Sequence, residues 1–117
     1  MTQKNQLDSI KKIVDDKILT INDRDYSITP TTHERRLKVF AFFTEFQNDL
    51  QLGNFRFLAD PRYKEIEKIF AEMVIFENGI LSKEINHWEK FGEDYLIFIT
   101  NMFMVVSYPF LKGSLTN

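Results

Sequence analysis

From Tyr95 to Leu111 the chain runs seventeen residues without a charge, and all twelve of its phenylalanines fall between Phe40 and Phe110. Apolar surface of that extent has to leave water, because each Å² exposed costs roughly 25 cal/mol. It can do so in a core, against a partner or in a membrane. A membrane span needs about 20 apolar residues. This run is shorter, contains Thr100, Asn101 and Ser107, and is interrupted by Pro109. Glu93-Asp94 precede it and a single Lys112 follows, without the basic cluster that anchors a span. A buried core or interface helix is the expectation, with no membrane partner.

The rest of the chain supplies what that helix can pack against. Leu7, Ile10, Ile13 and Val14 recur at helical spacing, which predicts a short, weak helix over residues 1–16. In Lys17–Ile21 and Tyr26–Thr29 β-branched and aromatic residues are concentrated around Asn22-Asp23-Arg24-Asp25, which predicts a β-hairpin over 17–29. Leu19 and Ile21 share one face of it, as do Tyr26 and Ile28, and that face has to pack on the helices.

A helix over 31–52 follows. Thr31 and Glu34 have capping-box spacing, Thr32 is an alternative cap, and Gly53 is the terminator. Leu37, Phe40, Ala41 and Thr44 form one stripe of this helix; Val39, Phe42, Phe43, Phe46 and Leu50 form another. Asp60-Pro61 opens a helix expected to run over 61–78 and to stop at Asn78-Gly79. Ser82 opens a third over 82–107, with Gly92 as a kink and Pro109 as its limit. The tail 112–117 is polar and expected to fray. The fold class is α+β, mainly α: a short N-terminal helix and β-hairpin, then a three-helix bundle-like core in a single domain, 1–117.

Several function classes lack a footprint. Fifteen basic and seventeen acidic residues leave a net charge of −2, no field for DNA or RNA. No cysteine is present, so disulfides, thiol catalysis and cysteine metal sites are excluded. The start of the chain is polar and has no signal-peptide run, and a reducing cytoplasm is the expected compartment. Glu84 and His87 have the Glu-x-x-His spacing of helical di-metal sites. Such a site needs the pair twice, and the only other histidine is His33, so no metal is expected. Glu89, Glu93 and Asp94 read as a solvated face near Gly92 and His33–Arg36 as a charged first turn, while glycine-rich phosphate loops and nucleophile motifs are absent. The expectation is a protein that is not an enzyme and carries no cofactor.

The aromatic and Met surface remains. Phe40, Phe42, Phe43 and Phe46 cover more than one face of their helix, and Phe98, Met102, Phe103 and Met104 do the same near the C-terminus. A small helical interior has limited room for so many rings, and aromatics and Met are enriched at binding surfaces. Phe42, Phe43, Phe46, Phe103 and Met104 are therefore the expected partner-binding residues.

The order of parts also resembles a known family. A hairpin leads through Ile28-Thr29-Pro30-Thr31-Thr32 into an aromatic helix, and the helical remainder carries Trp88, Asp94-Tyr95-Leu96 and Ser107-Tyr108-Pro109-Phe110. Over residues 17–111 this is similar to the small tail-assembly and baseplate-hub chaperones of tailed bacteriophages. The resemblance implies a helper in the cytoplasm of an infected cell that binds a tape-measure or hub protein before tail assembly. The alternatives are a structural virion subunit or self-associating homo-oligomer, then a small host-takeover regulator or a membrane protein.

Overall fold

The computed structural model describes the backbone of residues 2–115 and the side chains of residues 7–113. The fold is α+β and mainly α. Helix α1 (Thr2–Asp16) leads through Lys17, at φ 60°, into strands β1 (Ile18–Ile21) and β2 (Arg24–Ile28). Asn22 and Asp23 link the strands in two residues, both at positive φ, the requirement of a type I′ turn. The turn is tighter than the four-residue cluster predicts, yet the faces are as expected: Leu19, Ile21 and Tyr26 are buried and Ile28 half-buried.

Helix α2 (His33–Gln51) has Thr32 as its cap, its Oγ1 accepting from the Arg35 N–H at 3.2 Å. Thr31, the other candidate, has a buried hydroxyl with no partner. The helix ends in a Schellman motif at Gly53, φ 72°: the Gly53 N–H bonds Leu50 O and the Asn54 N–H bonds Asp49 O. A 3-10 turn at Arg56–Ala59 drops Phe57 into the core, and Asp60 turns the chain by accepting from the Arg62 N–H.

Two sequence expectations fail from here on. Helix α3 (Tyr63–Glu72) stops six residues before the predicted end at 78. Val74–Phe76 forms strand β3 and Gly79–Ile80 forms β4, so Asn78-Gly79 belongs to a hairpin turn where a helix stop was expected. The cause is tertiary. β2 has a second edge, and β3 pairs with it in the register Tyr26↔Phe76, Ser27↔Ile75, Ile28↔Val74. The Val-Ile-Phe segment buries alternate residues, Val74 and Phe76, as a strand does. The result is a four-stranded antiparallel sheet in the order β1-β2-β3-β4.

The predicted helix over 82–107 is also divided. Its first part becomes a 3-10 turn at Leu81–Lys83, a single helical turn α4 (His87–Lys90) and a further 3-10 turn at Gly92–Asp94. Ile85, placed on the apolar face by periodicity, is 94% exposed. Only α5 (Tyr95–Leu115) is long, and it passes through Pro109 and into the segment expected to be a frayed tail from 112. Thr116 and Asn117 of that tail lie outside the described residues. Pro109 has no N–H to offer Val105 O, but the helix on either side of it is held from outside. Phe110 packs on Phe40, ring centroids 4.9 Å apart, and Arg36 Nη1 donates to Val106 O at 3.0 Å.

Helix α5 is the hub, with α1, α2, α3 and β1 all packed on it. Phe98, Ile99, Met102, Phe103 and Val106 are its core residues, against Phe42, Phe43, Phe57 and Phe70. None of the twelve phenylalanines is exposed.

Candidate functional site

The expected partner-binding residues divide by depth. Phe42, Phe43 and Phe103 are buried core residues, at 4%, 4% and 1% exposure. Phe42 stacks on Phe103 at 6.0 Å and 5°, and Phe103 meets Phe70 edge-on. Burial leaves Phe42 and Phe103 without free surface for a partner, and Phe43 with only an edge. Phe46 and Met104 are half-buried. Hydrophobicity on a helix wheel does not distinguish rings facing another layer from rings facing water; α3 and the Phe57 turn supply the layer that absorbs them.

The surface that stays open is the other stripe of α2. Leu37, Ala41 and Thr44 are exposed and Phe40 is half-buried. Beside it lies a groove of about 540 Å³ between α1 and α2 over α5. Phe40, Leu50, Met104, Phe110 and Leu111 supply its apolar lining. Among the described residues none of the side chains lining it is charged. Its polar members are Ser9, Thr44, Gln47, Gln51, Thr100 and Asn101. Of the predicted contact residues, Phe43 and Met104 reach this groove; Phe42, Phe46 and Phe103 do not.

A second feature departs from the sequence expectation. Asp94, taken for part of a solvated face, is fully buried. Its Oδ1 accepts from Asn22 Nδ2 at 2.7 Å and Arg24 Nη2 at 2.9 Å, and its Oδ2 from Arg24 Nε at 2.8 Å and the Tyr26 hydroxyl at 2.7 Å. The Arg24 guanidinium is the main reason its pKa falls to about 2. Arg24 also pairs with Glu93 and lies over the Phe91 ring at 4.4 Å.

His87 is buried as well, and its Nε2 lies 2.9 Å from the Tyr26 hydroxyl. Since that hydroxyl donates to Asp94, it accepts from an Nε2–H. Burial lowers the His87 pKa and raises that of Tyr26, so imidazole and phenol are neutral. The His87 ring meets Phe76 at 4.6 Å and Trp88 at 4.6 Å. This corner clamps the α4–α5 connection to the β1–β2 hairpin. Neither of the two principal cavities is lined by Tyr26, His87 or Asp94.

A smaller relay joins α3 to α5: Tyr63 donates to the Tyr95 hydroxyl at 2.7 Å, and Tyr95 donates to Glu67. Both phenols are shifted upward, chiefly by burial. No cluster of three or more metal-ligating side chains occurs among the described residues, and the Glu84-x-x-His87 pair is divided between an extended segment and the Tyr26 bond. The segment Gly92–Gly113 is long and apolar enough to cross a membrane by length and composition; in this fold its inner face forms the core.

No family model, curated protein or solved structure matches this chain.

Proposed function

We propose that this chain is a non-enzymatic protein-binding protein, a helper of phage tail or baseplate assembly that covers apolar surface on a tape-measure or hub protein. One observation carries the binding role: the open groove between α1 and α2, lined by apolar and uncharged polar side chains and by no charged residue among those described. A groove of this character suits the apolar stripe of a partner helix and, among its described residues, presents no charge to pair with a phosphate or a charged small molecule. The phage assignment rests on the order of parts from the hairpin to Phe110 and places the protein in the cytoplasm of the infected cell.

The test is affinity capture of the tagged chain during infection by the phage that encodes it. The expected result is recovery of a tail or hub protein, identified by mass spectrometry. Recovery of the chain alone as a monomer refutes the role.

A second reading, a structural virion subunit or self-associating oligomer, is favoured by the outer face of the sheet. Ile18, Ser27, Ile75 and Ile80 lie in one cross-strand row there, and the three isoleucines are 42%, 36% and 39% exposed. Purified particles separate the two: a virion subunit is retained in them, and a chaperone is not.

A further inference from the structure

α1 and α2 both lie on α5 and scarcely touch one another. Two helices resting side by side on a third, without closing on each other, leave the position that one more helix fills in a four-helix bundle. The α2 wall of the groove presents Phe40, Phe43, Thr44, Gln47, Leu50 and Gln51, the i, i+3, i+4, i+7 rhythm of one helix face. From the first to the last of these the helix rises about 16 Å, roughly three turns.

Three of the six polar side chains on these walls are already engaged. Thr44 Oγ1 donates to Ala41 O at 3.0 Å, Thr100 Oγ1 to Leu96 O at 2.7 Å and Asn101 Nδ2 to Ile97 O at 2.8 Å, each within its own helix. These donors are turned back onto backbone, so the surface behaves as more apolar than its composition. That decides the form of the occupant. An extended peptide brings a full row of N–H and C=O groups, more than the few polar side chains here can pair. An α-helix satisfies its own backbone and brings side chains only. A charge beside its apolar stripe would meet no counter-charge among the described residues of the groove lining.

We propose that the groove is a vacant helix position, filled by an amphipathic helix of the partner about three turns long, with an aliphatic stripe flanked by uncharged residues. This rests on the protein-binding reading above and gives the partner its form.

Met104 supplies the reporter. It is half-buried in the groove, whereas Met73 and Met102 are buried elsewhere in the core. The full chain, labelled with ¹³C at its methionine methyls, is titrated with a synthetic helical peptide of about 14 residues carrying Leu at i, i+3, i+4 and i+7 and Gln beside them. The Met104 signal is expected to shift saturably while those of Met73 and Met102 stay. A peptide with Glu beside the stripe, or the exposed-site variant Thr44→Glu in the chain, is expected to weaken binding at least about tenfold. Gln47→Glu serves the same purpose should Thr44→Glu lower the melting temperature.

A Met104 signal that does not move at millimolar peptide overturns the proposal, as does equal binding of both peptides. If the chain fails the peptide but recovers a tail or hub protein, the helix assignment is lost and the binding role stands. If it takes the peptide but recovers no such protein, the groove stands and the phage role is lost.

Discussion

Replacing Asp94 by Asn tests the buried corner with a defined pH signature. The Asp94 carboxyl is fully buried and held at a pKa of about 2 against an ordinary 3.8. A difference of about 1.8 units at about 1.36 kcal/mol each is about 2.5 kcal/mol of stability at neutral pH. Removing one partner of a buried ion pair costs about 3–5 kcal/mol in general. Arg24 keeps Glu93 and its side chain is 24% exposed, so the lower figure is the better guide. Because the folded pKa is the depressed one, this stability is present above the unfolded pKa and lost as pH falls through the folded value. The linkage relation leaves about 1.3 kcal/mol at pH 3 and about 0.4 kcal/mol at pH 2.

Urea unfolding followed by the fluorescence of Trp88, the only tryptophan, measures this directly. Its indole stacks on Tyr26 at 6.2 Å, so the reporter lies beside the clamp. Wild type is expected to exceed Asp94→Asn by about 2–3 kcal/mol at pH 6, the gap narrowing by about 2 kcal/mol toward pH 2. A gap below about 1 kcal/mol at pH 6, or one that does not change with pH, refutes the reasoning.

Other outcomes follow from the same geometry. His87 is held neutral, with its pKa below the ordinary 6.5, so its contribution is complete above the unfolded pKa and declines as pH falls below it; thermal melts of His87→Gln are expected to be flatter than wild type over that window. Phe57→Ala removes a fully buried ring that meets Phe42, Phe46, Tyr63 and Phe103, and is expected to cost about 3–5 kcal/mol in urea unfolding. Pro109→Ala restores a donor for Val105 O at an exposed position of α5, and a net gain of about 1–2 kcal/mol is expected by calorimetry once the looser unfolded chain is subtracted.

The residues whose conformation depends on near neighbours were legible. Thr32 and Gly53 bound α2 through hydrogen bonds inside one short segment. The alternation of Leu19, Ile21 and Tyr26 marked the buried face of the hairpin. Val74–Phe76 was not legible, because Met73 and Val74 fit a helical stripe and a strand equally well; the open edge of β2 decided between them. Asp94 was misread for a related reason. Its three neighbouring donors are Asn22, Arg24 and Tyr26, about seventy positions away, and no local pattern announces them. Nothing in the chain beyond an Asp in a charged cluster hinted at this corner.

By itself the sequence determined that the charge-free run Tyr95–Leu111 and the phenylalanines from Phe40 onward must leave water, that α1, α2 and α3 begin near where they do, and that a hairpin lies between α1 and α2. These are consequences of apolar area, caps and turn residues, which act over one or two turns of chain. Tertiary structure alone decided which rings are core and which surface is open. Phe42, Phe43 and Phe103 are enclosed because α2, α5, α3 and the Phe57 turn converge on them. The Leu37–Thr44 stripe and the groove beside it remain open because α1 and α2 stand apart on α5. Exposure depends on how elements are placed against each other, and that placement is a property of the assembled layers.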